Sequence, residues 1–248
     1  KSSYRVQAGD IIEVYDISKF KVSDRPKITK YKPSRKEVDI YDDYILENND
    51  NFVVINKPRG IAVQAGTKSF KNLIDILKDT KPYIVHRLDK ETSGILIVAK
   101  TREYAQLFTS LFRIRKIHKT YIALTYGKVS QQIKTLKDDL ITFEKDKKII
   151  QKAISYMKIL KSSPDYSYVE LNPITGRKHQ LRKQLYNIGN PIIGDDKYFT
   201  NRRANKIKNK NKNLMLHAYK IKFMINNVQY SFKAEYDKDF EDFIKKNF

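Results

Sequence analysis

Five consecutive apolar residues, Ile95-Leu96-Ile97-Val98-Ala99, follow directly on Gly94. A run this short, unbroken by polar positions, reads as a buried strand and not as an amphipathic helix. The chain must therefore build a core around it. The residues just before it, His86-Arg87-Leu88-Asp89-Lys90-Glu91-Thr92-Ser93-Gly94, then form a loop at a strand end, where chemistry is often carried. One carboxylate, Asp89, sits there among a histidine, an arginine and two hydroxyls, and is the candidate reactive residue.

The remainder supplies further elements in mixed order. Tyr4 to Tyr15 reads as strand material around the break Ala8-Gly9-Asp10, and residues 20–40, polar and rich in Lys and Arg with Pro26 and Pro33, read as a linker. Tyr44-Ile45-Leu46 and Phe52-Val53-Val54-Ile55 form a hairpin across Asn48-Asn49-Asp50-Asn51, followed by the tight loop Asn56-Lys57-Pro58-Arg59-Gly60. Ser69 is placed to cap a helix that ends before Pro82, and Thr101 to cap one with Tyr104, Leu107, Phe108 and Leu111 inward. Strands are expected over Lys119–Tyr126, Ala153–Leu160 and Tyr166–Leu171, and the charged segment Ser130–Lys152 reads as a surface hairpin or loop. Thr175-Gly176 turns the chain into a helix running to about Ile188. Asn226-Asn227 marks a two-residue hairpin between Leu214–Phe223 and Val228–Ala234, and Asp237 caps a last helix. Strands and helices that neither alternate regularly nor repeat imply an α+β domain with a mixed, mostly antiparallel sheet.

Composition narrows the partner. Fifty Lys and Arg against 28 Asp and Glu give a formal net charge of +22, which favours a polyanion, because neutralising phosphates releases counterions. The absence of cysteine excludes disulfides and thiolate metal sites. No apolar run approaches the ~20 residues of a membrane helix, and no signal-peptide pattern is present, so a cytoplasmic protein is expected. The chain starts at Lys1 without methionine, from which a preceding segment is expected.

On chemistry alone, no Gly-rich loop ending in Gly-Lys-Ser/Thr cradles a phosphate, and four scattered histidines make a metal site unexpected. What remains is Asp89, a basic surface and an Arg-bearing cluster, Asn172-Pro173-Ile174-Thr175-Gly176-Arg177-Lys178-His179-Gln180-Leu181-Arg182. An ionised Asp can act as nucleophile or base, and a nearby arginine such as Arg182 would lower its pKa and orient it. An aspartate before a strand is more often a cap or a surface ion pair.

Together, HRLDKETSGILIVAK, preceded by NKPRGIAVQAG and followed by KTYIAL and PITGRKHQLR, resemble the RluA-type pseudouridine synthase family across most of Tyr41 to Ala234. HRLDxxTSG is the specific element. The trailing GNPIIGDDKY and the LHA at Leu216 are similar to the ribosomal large-subunit branch, which carries an S4 module in front. The resemblance implies a pseudouridine synthase fold with a central active-site cleft over 41–248, residues 1–19 being the remnant of an S4-like RNA-binding module. It implies isomerisation of uridine in RNA, most directly large-subunit ribosomal RNA, by a monomer that needs no cofactor and no metal.

Residue by residue, the resemblance makes Asp89 the nucleophile or base, acting at C1′ or C6 or on the C2′ proton. Tyr121 would stack on the uracil and help remove the C5 proton, and Arg182 would pair with Asp89. Arg87 would fill the stack vacated by a flipped uridine, and Lys57, Arg177 and Lys178 would contact RNA. His86, Thr92, Gly94 and Pro58 would shape the loop, and His179 is expected to be structural. Lys178 and Lys183-Gln184 depart from the family's usual Thr and Val-His, which bears on RNA contacts more than on chemistry. A transfer-RNA substrate and a non-catalytic ribosome-assembly role stay open.

Overall fold

The computed structural model describes residues 7, 9–11, 13, 31–65, 71–77, 82–144, 147–199 and 213–248. The chain divides into two compact units, Lys1–Lys30 and Tyr31–Phe248. In the first, Gly9 adopts φ 102° and Asp10 N–H donates to Gln7 O at 3.2 Å, the turn expected there. The strands expected on either side lie largely outside the described residues, as does most of the Asn201–Asn213 tract.

The second unit begins inside the expected linker. Arg35–Asp42 is a helix, α1, most of which falls within the stretch expected to be linker. Propensity and charge gave no reason for it; Tyr41 packs against the core that contains Val53 and Ile55, and tertiary burial decides. Then follow β1 (Ile45–Asn48) and β2 (Phe52–Lys57), joined through Asn49, whose side-chain oxygen accepts from Asn51 N and Phe52 N, both at 3.0 Å. The next helix, α2, is the single turn Leu73–Ile76, capped by Asn72 Oδ1 accepting from Asp75 N at 3.1 Å. The longer helix expected from Ser69 is not formed over Leu73–Leu77 beyond that turn, and Ser69 and Phe70 lie outside the described residues.

Strands β3 (Tyr83–Ile84) and β4 (Ser93–Ala99) lead to α3 (Arg102–Arg113), with Thr101 Oγ1 accepting from Tyr104 N as its cap. Strands β5 (His118–Tyr126), β6 (Thr135–Glu144), β7 (Lys147–Ser162) and β8 (Tyr166–Pro173) follow. The charged segment before Ala153 is thus a long hairpin whose second strand runs unbroken into the core. After α4 (Gln180–Asn187), β9 (Leu216–Ile225) and β10 (Val228–Lys233) turn through Asn226 and Asn227 at φ 50° and 60°. Two consecutive positive φ values are the hairpin geometry that asparagine tolerates best after glycine. The last helix, α5 (Lys238–Asn247), is capped by Asp237.

All ten strands join one sheet, ordered β1-β2-β4-β9-β5-β8-β7-β6, with β10 beside β9 and β3 beside β4. Among these pairings only β4–β9 is parallel, so the sheet is mixed and mostly antiparallel. Strand β4 is buried along its whole length, and its alternate residues serve two cores. Ile95, Ile97 and Ala99 pack with Phe52, Val54 and Phe108 beneath α3, while Leu96 and Val98 pack with Val53, Ile55, Leu73 and Ile76. Each such side chain withdrawn from water contributes roughly 1.5–3 kcal/mol. A third core joins β5, β7 and β8 to Leu181 and Leu185 of α4 and Phe240 and Phe243 of α5. Among the described residues no helix is long and apolar enough to cross a membrane.

Candidate active site

At the N-terminal end of β4 the chain makes a turn in which Thr92 N–H donates to Asp89 O at 3.1 Å. Two buried devices hold it. Lys57 at the end of β2 is fully buried, and its ammonium donates to Pro58 O at 2.8 Å, Ile61 O at 3.1 Å and Lys90 O at 3.1 Å. Gly60 N–H donates to the same Lys90 carbonyl at 3.0 Å. All three Lys57 donors are spent on backbone, so the expected RNA contact from Lys57 is corrected to an internal brace. Burial pushes this amine down to about 7, opposed by the charges of Glu91 and Asp89.

His86 is the second device. Its Nε2 accepts from Ile97 N–H at 2.8 Å, and its ring lies 4.8 Å from that of Phe112. Burial, aided by the charge of Lys119, pushes its pKa down to about 3. His217 on β9, hydrogen-bonded to Ser93 Oγ at 2.9 Å and Ala234 O at 3.2 Å, is pushed by burial to about 4. Both rings are neutral in the fold and protonate in the unfolded chain below about 6.5. The unfolded state therefore binds more protons between about pH 6.5 and pH 3–4, and stability must fall as pH drops through that window. Urea unfolding at pH 5 is expected to show a loss on the order of 2–4 kcal/mol relative to pH 7; ring NMR signals showing either histidine protonated in the folded protein above pH 5 would contradict it.

Asp89, Thr92, His86 and Arg87 line a cleft of about 730 Å³ together with Tyr121, Arg177, Lys178 and Arg182, a size typical of small-molecule sites. Eight of the candidate residues thus meet from three separate stretches, while Lys57, Pro58 and Gly94 lie outside the lining. Tyr121 reaches the cleft from β5, where pairing with β9 slips between Thr120 and Tyr121, a bulge that re-aims the side chain. Burial, and the nearby charge of Asp89, raise its pKa, so it stays a neutral phenol. Arg177 and Lys178 are exposed on the loop before α4, and Arg177 Nε donates to Lys152 O at 3.3 Å.

Arg182 departs from expectation. Its Nε and Nη2 donate to Asp195 at 2.8 and 2.6 Å and Nη2 reaches Asp196 at 3.3 Å, so its ion-pair partner is Asp195 and not Asp89. Asp195 also accepts from Lys197 N and Tyr198 N, both at 3.0 Å. Burial would raise the Asp195 carboxyl, but these hydrogen bonds and the Arg182 charge hold it below the usual carboxylate range. Arg182 still acts on Asp89 through space.

The His179 ring faces Asp89, with Nε2 3.6 Å from Oδ1. It sits at φ 53° at the start of α4, and Tyr198 Oη lies 2.8 Å from its Nδ1. A Tyr198 hydroxyl donating to Nδ1 would leave the ring proton on Nε2, facing Asp89. Burial lowers the His179 pKa against the pull of Asp89, and the charges of Arg182, Lys197 and Lys178 lower it further.

Lys183-Gln184, the other departure, divides in role. Gln184 is buried and bridges α4 to the sheet through Ser155 Oγ, Leu136 O and Ala153 O. Residues the sequence reading passed over are Arg113, Arg115 and Lys119 in the lining, and Asp195 and Tyr198 behind it. Asp195 and Tyr198 lay in plain view within GDDKY, but only proximity in space reveals what they hold.

Among the described residues the lining holds seven Lys and Arg and one carboxylate, Asp89. Such a cleft admits an anionic chain and presents it with a single acid-base or nucleophilic group. The sequence profile of the RNA pseudouridylate synthase family matches residues 51–187. The ribosomal large subunit pseudouridine synthase C of Rickettsia conorii is 36% identical over 221 residues, 80% of this chain and 70% of that protein. Its namesake in Buchnera aphidicola is 32% identical over 243 residues, 89% of this chain and 74% of that one. The solved structure of human RNA pseudouridylate synthase domain containing 4 superposes with a TM-score of 0.69 at 25% identity, covering 83% of this chain and 93% of the other. Matched in sequence over most of its length and in fold across the same sheet, the chain belongs to the RNA pseudouridylate synthase family.

Proposed function

We propose that this chain isomerises uridine to pseudouridine in large-subunit ribosomal RNA, with Asp89 as the catalytic carboxylate. The observation that carries the catalytic part is Asp89's position as the one carboxylate among the described residues lining a cationic cleft. The substrate rests on the curated relatives, which are named for the ribosomal large subunit.

In the reaction the N1–C1′ bond breaks, the uracil turns within the cleft, C5 bonds to C1′, and the C5 proton is released while N1 gains one. Asp89 assists the bond cleavage. Tyr121, neutral beside Asp89, packs the uracil and is unsuited to take the C5 proton as a phenolate. Arg182 acts on the carboxylate through space and His179 faces it at 3.6 Å, both from the α4 side. Arg87, exposed at the cleft mouth, fills the gap left by the flipped uridine, because a paired base hides its glycosidic bond. Residues 1–19 would add RNA contacts as the end of an S4-like module, and the reaction would occur in the cytoplasm with the chain acting as a monomer.

The test is tritium release from uridine labelled at C5, with large-subunit ribosomal RNA and transfer RNA transcripts supplied in parallel. Release from the ribosomal RNA is expected. Release from transfer RNA alone would overturn the substrate and leave the chemistry, and release from neither would overturn both.

A further inference from the structure

We propose that the last turn of α3 is a phosphate clamp, in which Arg113 and Arg115 grip the RNA backbone beside the uridine held at Asp89. The proposal rests on the RNA-modifying reading above and adds to it the wall of the cleft that the motifs do not mark.

The observation that carries it is a backbone one. Helix α3 closes with Lys116 N–H donating to Leu111 O at 2.9 Å and Arg115 N–H to Phe112 O at 3.2 Å. This paired closure places the residue after the helix cap in the left-handed region, where glycine is the usual occupant. Here that residue is Arg115, at φ 60°. A side chain costs free energy in this conformation and glycine does not, so the fold alone would be better served by glycine.

What arginine adds is a guanidinium on the cleft wall. Arg113 and Arg115 both line the cleft, and both are exposed. Among the described residues neither has a carboxylate within ion-pair distance. The negative end of the α3 dipole would favour a cation at Arg113 in any case, but it gives no reason for a side chain at the left-handed position. Phosphate does, because the guanidinium fork matches two of its oxygens.

The position relative to Asp89 is fixed. Phe112, immediately before Arg113, packs its ring against His86, which is bonded to Ile97 and lies three residues before Asp89. Arg177 and Lys178 stand on the α4 side of the same cleft. A strand entering it would meet cations on both walls, with the carboxylate at the floor.

The test is Arg115→Gly in the full chain, with RNA affinity measured on the ribosomal and transfer RNA transcripts across a salt series. The urea midpoint is expected to stay or rise, because the strain is relieved. Affinity for the RNA that the wild type binds is expected to fall roughly tenfold, with the slope of log K against log salt shallower by about one phosphate contact. Arg115→Lys should restore the slope. An unchanged slope in Arg115→Gly, a lower urea midpoint, or a wild type that binds neither RNA would overturn the clamp. If the wild type binds and modifies transfer RNA and the slope there falls, the clamp stands and the ribosomal substrate is what fails.

Discussion

Asp89→Asn is expected to lower tritium release from C5-labelled RNA by about 10³-fold or more, while RNA binding stays the same or tightens. The substitution keeps the shape of the side chain and the turn that Thr92 N–H closes onto the Asp89 carbonyl. It removes the one carboxylate that, among the described residues, lines the cleft with seven Lys and Arg. Losing a negative charge there reduces repulsion toward phosphates, so a drop in affinity is not expected. Burial and the Asp89 charge both raise the Tyr121 pKa, so the variant should also lower the Tyr121 value in an ultraviolet titration. Release equal to wild type would remove Asp89 from the chemistry altogether.

How far the sequence could be read depended on whether the deciding partner was local. Thr101, Asp237, Asn49 and the Asn226-Asn227 pair each bond within a few residues, and the elements they bound stand where their side-chain chemistry put them. Strand β4 was legible too, because five unbroken apolar residues have no other comfortable place. Ser69 and α2 were not: Asn72 takes the capping role of the helical turn, and Ser69 and Phe70 lie outside the described residues. Residues 35–40 fell in the linker reading since their charge outweighs their few apolar residues, yet Arg35–Asp42 is a helix with Tyr41 packed on the core.

The site divides in the same way. Three motifs pointed to one cleft, but the pairings inside it join residues that spacing does not relate. Lys57, where the resemblance implies an RNA contact, is buried with its donors on Pro58, Ile61 and Lys90. Arg182 looked like the partner of Asp89, yet Asp195, 13 residues on, takes it in two short hydrogen bonds. A strong bidentate partner outcompetes a more distant one, and charge alone does not say which carboxylate is nearer.

Gly94→Ala is expected to be strongly destabilising, costing about 4 kcal/mol or more and lowering the melting temperature by roughly 10 °C. Gly94 stands at φ 104°, a region side chains rarely adopt, and pairs in register with Ala218 on the parallel neighbour β9. An added Cβ would overlap the Ala218 carbonyl oxygen and lie 2.6 Å from its nitrogen and 2.7 Å from its carbonyl carbon. All three are backbone atoms within a paired sheet, so no side chain can swing aside. Relief requires β4 and β9 to separate at the one place where the sheet is parallel. Gly60→Ala is the control: it too has positive φ, 77°, but nothing within 4 Å of the new methyl, and should cost only about 1 kcal/mol. The two variants together separate conformational cost from backbone collision. Ala218 is also the residue opposite Tyr121 across the β5–β9 bulge, so the close approach at Gly94 sets how near the Asp89 turn comes to Tyr121. Whatever Gly94→Ala protein does fold should therefore lose kcat more than RNA affinity, whereas a variant as stable as Gly60→Ala would show that the strands part without cost.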